Sequence, residues 1–367
     1  MGSVLKTKNS WAIKYDLPGS TRENRKQKYL SGFKSNSEAK KALTDIEYKI
    51  NHGIYIDDKG MTIFDFFNIW FIDHVSTLSP KTRIYYTEIF KNEIEPHLPN
   101  IKLRDIRVNH INSFYNKLRK KGVSDDRLFK THKTLQACIR AAYKWQYMEN
   151  NIMDHITVKK PERPKREPWN PDEIKLALNM FHETSLDYHV YMSIHLGLRQ
   201  GEVCGLMFED INHEERTITI HRALQSIRAE GVIVKEPKTK SSIRTIPLQK
   251  HIYEYLCNLE KKIKANRLFL GANYNNEWYG YFSVFENGDI QSTQYVCRRF
   301  NEYVKKMELR KITFHDLRHS CASWLLSKNV DIKTIQEILG HTNYSTTADI
   351  YSHVDLSQRR AALDKLN

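Results

Sequence analysis

The sequence predicts a multidomain chain: a small α+β unit, an all-α helical bundle, and a mainly α domain carrying a small antiparallel β-sheet. Three observations predict it. The chain has 367 residues, more than one ordinary core holds, and 40% of them are apolar, enough for packed cores rather than disorder. The run KKPERPKREPWNP at 159–171 places prolines at 161, 164, 168 and 171, which block regular structure and mark a linker. The apolar period also changes along the chain. It is two near the start, helical through most of the rest, and briefly strand-like between 217 and 246.

Residues 1–57 form the first unit. Trp11, Ile13 and Tyr15 recur at the strand period, Asp16-Leu-Pro-Gly-Ser20 supplies a turn, and residues 27–33 read as a returning strand. A helix follows from about Ser37, with Ala39, Leu43, Ile46 and Ile50 on one face; Ser35 and Ser37 are rival N-caps. Over residues 1–50, Lys and Arg number 11 against 5 Asp and Glu.

Residues 60–157 read as all helix. Thr62 and Asp65 cap an apolar helix over 63–72, and Ser79-Pro80 opens another that runs to about Glu95. Asn109 caps a helix over 111–121 that Gly122 closes. The longest helix, about 125–149, turns Leu135, Ile139, Ala142 and Trp145 inward; Lys130, Lys133, Arg140 and Lys144 fall elsewhere on it, suited to phosphate contacts or simply to solvent. The linker occupies 158–171. Asn170-Pro171-Asp172-Glu173 then opens the domain at 172–367 with a cap, a proline in the first position and an acidic first turn. Within it, residues 217–221, 231–234 and 242–246 read as three short strands, with Lys238 in the turn between the last two. Residues 273–289 show no period, and 292–307 read as helix.

Composition narrows the function. Lys plus Arg number 58 against 43 Asp plus Glu, a net charge of +15, and the isoelectric point is about 9.4. Such a surplus points to a polyanionic partner, with a merely basic protein as the plain alternative. The five cysteines (Cys138, Cys204, Cys257, Cys297, Cys321) form no CxxC pair, which argues against a zinc site or a disulfide framework and fits a reducing cytosol. No apolar run approaches a membrane span, the N-terminus has no secretory h-region, and no GxxxxGK[ST] loop suggests ATP hydrolysis.

The chemistry concentrates in residues 313–354, TFHDLRHSCASWLLSKNVDIKTIQEILGHTNYSTTADIYSHV. His315 and Arg318, three apart, share a helix face and can meet one small anion together. Arginine offers a planar fork of donors to phosphate oxygens, histidine exchanges protons near neutral pH, and a tyrosine beside them is an oxygen nucleophile. Taken singly these features are ordinary: HxxR recurs by chance, Gly-His after a helix is commonly a C-cap, and Tyr351 is one tyrosine of 20.

The ordered set is different. Upstream stands His195-Leu-Gly-Leu-Arg199-Gln-Gly-Glu202-Val-Cys-Gly-Leu206, then Pro237-Lys238-Thr239-Lys240 running on to Pro247, then Leu339-Gly340-His341 and Tyr351-Ser-His-Val354. In this order the pieces resemble the tyrosine recombinases, the lambda-type phage and conjugative-element integrases. The resemblance implies DNA strand exchange through a covalent 3′-phosphotyrosine. Tyr351 would attack the scissile phosphate. Arg199 and Arg318 would hold its non-bridging oxygens, where charge develops, and Lys238 would protonate the leaving 5′-oxygen. His315 would act as base or as donor, His341 would bond a non-bridging oxygen, and Glu202 would orient an arginine. Lys240 and Tyr344 are the rivals of Lys238 and Tyr351, while His319 and His353 read as supporting. No cofactor, metal or nucleotide is required.

The resemblance further implies that 1–57 is a three-stranded sheet plus helix reading arm-type DNA, that 60–157 is a helical (SAM-like) core-binding domain, and that 172–367 is catalytic. It implies core-type and arm-type double-stranded attachment sites as partners, a homotetramer on DNA, DNA-bending and excisionase accessory proteins, a cytoplasmic setting and no membrane. Related enzymes dock C-terminal segments in trans, a role open to residues 356–366. A type IB topoisomerase shares this chemistry, a catalytically inactive DNA-binding regulator shares the binding, and recombinases that resolve chromosome or plasmid dimers usually lack an arm-binding unit.

Overall fold

A computed structural model describes residues 2–21, 24–51, 60–162, 167–227, 230–235 and 243–340. Lys238, Lys240, His341, Tyr344, Tyr351, His353 and residues 356–366 lie outside the described residues. The chain divides into two compact units, Met1–Arg163 and Pro164–Asn367, and the division falls in the Pro-rich stretch. Described residues on either side of it, 157–162 and 167–170, are neither helix nor strand.

In the first unit, β1 (Ser3–Lys6), β2 (Trp11–Asp16) and β3 (Gln27–Phe33) form an antiparallel sheet in the order β1-β2-β3. Helix α1 (Asn36–Asn51) covers one face, burying Ala39 and Leu43 against Ile13 and Tyr15. Ser35 is the cap: its hydroxyl accepts from the Glu38 N–H at 3.1 Å, and the Glu38 carboxylate accepts from the Lys34 N–H at 2.7 Å.

The bundle of the same unit comprises α2 (Ile63–Asp73), α3 (Pro80–Ile89, continued by a π turn over Phe90–Ile94), α4 (Val108–Lys120) and α5 (Asp125–Lys144). Thr62 and Asp65 form the expected reciprocal cap, at 3.2 and 2.9 Å. Helix α2 buries Ile63, Phe66, Phe67 and Trp70, and Phe67 stacks on Phe90 with ring centroids 3.8 Å apart. Two expectations need correction. Helix α4 begins at Val108, ahead of Asn109, because the Arg107 N–H at the helix start is already taken by His110 Nδ1 at 3.2 Å. Helix α5 ends at Lys144, and the Trp145 that follows is 38% exposed, lying edge-on to Phe66 rather than in the core.

The second unit opens with α6 (Pro171–Phe181), whose cap is the expected one: Asn170 Oδ1 accepts from the Asp172 and Glu173 N–H groups. The chain just before it is pinned. Trp169 is buried, its backbone N–H donates to Ser320 Oγ and its indole to the Arg310 carbonyl, both at 2.9 Å. Arg310 in turn forks onto Glu173 and donates to the carbonyls of Glu167 and Pro168.

Helix α7 (Asp187–Leu196) is buried around most of its circumference, with Asp187, Tyr191 and His195 alone partly open along one face. Helix α8 (Gln200–Gly205) follows it directly. The β insertion is two sheets. Strands β4 (Ile211–Asn212), β5 (Thr217–Ile220) and β8 (Arg244–Pro247) make one, in the order β4-β5-β8; β6 (Ala223–Ile227) and β7 (Gly231–Lys235) make a separate ribbon. The strand β6 was not expected, and its presence changes the pairing: β7 pairs with β6, and β8 with β5. Among the described residues, β7 and β8 are therefore not the two arms of one hairpin. The remaining helices are α9 (Lys250–Leu270), α10 (Thr293–Lys306, capped by Ser292), α11 (Asp316–Ser327) and α12 (Ile332–Leu339). Among the described residues no helix is long and apolar enough to cross a membrane.

Candidate active site

The site grows from two helix ends. Helix α7 stops at Gly197, which adopts φ +61°, and two residues on Arg199 stands at the N-cap of α8. The Arg199 N–H donates to Glu202 Oε2 at 2.9 Å and its Nη1 to Oε1 at 2.8 Å, a three-residue spacing that brings the two side chains onto one face. The space beside Gly197 is filled: a Cβ there would lie 2.1 Å from Leu339 Cδ2. Helix α12 ends at Gly340, φ +65°, so both turns need the left-handed backbone that glycine adopts without strain.

The last carbonyls of a helix have no partner within it. Here arginines supply the donors. Arg244 Nε donates to the Ile338 carbonyl at 2.8 Å, Arg318 Nη2 to that of Leu339, and Arg199 Nη2 to that of Gly340 at 3.1 Å. Positive charge at this end also complements the helix dipole. Arg318 reaches a second helix end, donating from Nη1 to the Gly197 carbonyl at 2.8 Å. Its side chain is buried, and desolvation first, then the nearby Arg199, lowers the guanidinium to about 9, still protonated at neutral pH.

Glu202 sits among these cations, 8% exposed. Arg244 Nη2 meets its Oε2 at 2.8 Å and Nη1 its Oε1 at 3.2 Å, a bidentate fork. Burial by itself would raise this carboxyl, but the hydrogen bonds and charge of Arg244, then the Arg199 N–H and charge, hold it at about 2. Three arginines thus surround one carboxylate, leaving a fixed positive excess around the α12 terminus. Such an excess is suited to a phosphate.

His315 immediately precedes α11 and keeps part of its surface open to solvent, whereas Arg318 extends inward from the first turn of the same helix. Thr313 secures that turn, donating from N–H and Oγ1 to Asp316 Oδ2 at 2.6 and 2.7 Å. The His319 ring stands edge-on to that of His315, centroids 5.3 Å apart. Desolvation, then His319 and Arg318, lower the His315 pKa below the ordinary histidine value, which favours the neutral ring at pH 7. Among the described residues, no group of three His, Cys, Asp or Glu side chains could hold a metal.

Of the expected site residues, then, Arg199, Glu202 and Arg318 converge on the α12 terminus, with His315 at the start of α11. Lys238, His341 and Tyr351 lie outside the described residues. Arg244 was missed. Its signal was present: strand residues two apart share a face, Ile246 is buried, and so Arg244 points inward, where it needs a carboxylate.

Comparison with known proteins agrees with this architecture. Residues 170–358 match the phage integrase family, 62–119 the N-terminal SAM-like domain of phage integrases, and 3–50 an arm DNA-binding domain. A XerC-like tyrosine recombinase of Caldanaerobacter subterraneus subsp. tengcongensis is 26% identical over 385 residues, covering 100% of this chain and 94% of that protein. The ICEBs1 integrase of Bacillus subtilis is 25% identical over 76% of this chain and 75% of its own. Among solved structures, the Tn1549 transposon integrase in complex with a circular intermediate DNA is similar with a TM-score of 0.70, at 19% identity over 84% of this chain and 100% of that one. A lambda integrase tetramer bound to a Holliday junction has a TM-score of 0.59, at 17% identity over 94% of this chain and 93% of its own. With a family match across more than half its length, enclosing every arginine of the cluster, the chain belongs to the phage integrase family, the tyrosine recombinases.

Proposed function

We propose that this tyrosine recombinase is a site-specific integrase that cuts and rejoins DNA at the ends of a mobile element, with Tyr351 as its nucleophile. The observation that carries the reading is the arginine cluster, assembled on the last turn of α12 one residue before His341. The phenolic oxygen of Tyr351 gives up its proton to the neutral ring of His315 and attacks the scissile phosphorus, a P–O bond to tyrosine forms, and the bond to the 5′-oxygen breaks. Arg199, Arg318 and His341 stabilise the charge on the non-bridging oxygens. Lys238 gives its proton to the departing 5′-oxygen. Resealing is the same reaction in reverse, with the 5′-hydroxyl of another strand. The phosphotyrosine conserves the bond energy, so neither ATP nor a metal is needed.

In this reading residues 1–57 bind arm-type DNA, 60–157 the core site, and 172–367 carry out cleavage, joined by the linker at 158–171. Exchange between two duplexes breaks four strands and calls for four protomers, with DNA-bending and excisionase proteins as assistants in the bacterial cytoplasm. The relatives compared are named recombinases and integrases, which favours neither the topoisomerase nor the inactive regulator. The deciding experiment uses duplexes from the element's ends, nicked so that the 5′ product diffuses away. A denaturant-resistant adduct forms without metal, and Tyr351→Phe abolishes it. An adduct that survives that substitution moves the nucleophile elsewhere, Tyr344 first. Salt-sensitive binding with no adduct on any fragment would refute the enzyme reading.

A further inference from the structure

Arg244 differs from its neighbours in what it touches. Each of its three guanidinium nitrogens already donates to protein: Nε to the Ile338 carbonyl at 2.8 Å, Nη1 and Nη2 to the two Glu202 oxygens at 3.2 and 2.8 Å. Its side chain is only 7% exposed, whereas that of Arg199 is 39% exposed. Arg199 can therefore turn a donor outward to a phosphate, whereas burial keeps the two remaining N–H groups of Arg244 away from solvent. The strand holds it in this place. Arg244 lies opposite Ile220 in the antiparallel ladder and on the same face as Ile246, both of them buried. On its other side the chain passes close: a Cβ on Gly340 would lie 3.1 Å from both Arg244 Cδ and Nη1.

We propose that Arg244 is a positioning residue of the recombinase reaction, a single guanidinium that fixes both Glu202 beside Arg199 and the exit of the chain from α12 at Gly340. The inference rests on the recombinase reading of the site. Without Arg244, Glu202 retains Arg199 as its partner and draws it inward, off the open side of the site. The Ile338 carbonyl loses its donor, and the last turn of α12 frays just ahead of His341. Both effects displace groups at the scissile phosphate by a fraction of their reach and leave the remaining DNA-contacting residues in place. Misplacement on that scale costs about 100-fold in rate.

Two readouts on the full-length protein test this. Hydrogen exchange without DNA compares the native chain with Arg244→Gln and Arg244→Lys. Faster exchange confined to peptides spanning 198–206 and 332–340 is expected for Arg244→Gln, with partial recovery in Arg244→Lys, which keeps the charge but gathers its donors on a single nitrogen. Unchanged exchange in these peptides, or an equal acceleration in every peptide, would overturn the assignment. Single-turnover adduct formation on the nicked core-site duplex is then expected to fall about 100-fold in Arg244→Gln, at unaltered affinity for that duplex. A rate within threefold of the native one, or an affinity loss as large as the rate loss, would overturn it too, the latter by making Arg244 a DNA contact. If the native protein forms no adduct, the recombinase reading fails by itself, and the exchange measurement still decides whether Arg244 holds the two segments.

Discussion

Replacing Glu202 with glutamine removes the carboxylate that Arg199 and Arg244 share while keeping the side chain's size. The cost can be worked from the structure. In the folded chain the carboxyl is held at about 2 against an ordinary 4.5, despite a burial that acts in the opposite direction. At about 1.4 kcal/mol per tenfold change in proton affinity, that difference is about 3 kcal/mol at pH 7, within the range for breaking a buried ion pair. The folded pKa lies below the unfolded one. The contribution is therefore complete above about pH 5 and is lost as the pH falls from 4.5 toward 2. Urea unfolding of the native protein and Glu202→Gln at pH 7, 5 and 3 reads this directly. The gap should be about 3 kcal/mol at pH 7, nearly as large at pH 5, and less than half that at pH 3. A gap that stays constant with pH, or one below about 0.5 kcal/mol at pH 7, would refute the claim that the carboxylate is bound as an ion.

Three further outcomes are expected. Adduct formation should lose rate on acidification along a limb centred below 6.5, because desolvation, His319 and Arg318 keep the His315 imidazolium unfavourable; His315→Gln should remove the limb, and a limb that persists assigns it to another group. Gly197→Ala should lower the melting temperature, since it costs about 1–2 kcal/mol for the left-handed backbone and in addition drives a Cβ into Leu339 Cδ2; an unaltered melting curve would show that α7 and α12 do not meet there. Deleting residues 1–57 should abolish binding to a distal arm-type duplex in gel-shift assays and spare cleavage of the core site; intact distal binding would remove the arm-binding assignment.

Local chemistry was legible in the sequence wherever a few neighbouring residues settle the matter. Asn170 and Glu173, Thr62 and Asp65, and the strand period of Trp11, Ile13 and Tyr15 all specify their elements by contacts within a handful of positions. The same holds for Arg199 and Glu202, which meet across one helical turn. What escaped was set by partners distant in sequence. The ribbon strand β6 is a short run, Ala223–Ile227, and its pairing with β7 leaves β8 to join β5, a choice that no local period decides. Trp145 fits the inward stripe of α5 by spacing, yet the helix ends one residue earlier and the ring lies partly exposed at the edge of Phe66. Arg244 lies 42 residues from the carboxylate that explains it. Alternation along β8 shows that it faces inward, but only the folded chain shows toward what.

The capping of α12 by arginines also sets an order of events during synthesis. The acceptors at Ile338, Leu339 and Gly340 lie 94, 21 and 141 residues beyond the arginines that bind them. A chain leaving the ribosome exposes Arg199 and Arg244 long before, and Arg318 shortly before, the helix that they will cap, and folding from the N-terminus cannot finish the site early. A molecule that stops short of residue 338 thus has Arg199, Arg244 and Arg318 in hand but lacks the carbonyls that hold them in register. Competence to cut therefore waits for residues 338–340 to be made, and a copy that stops short of them holds its arginines without the helix end that aligns them.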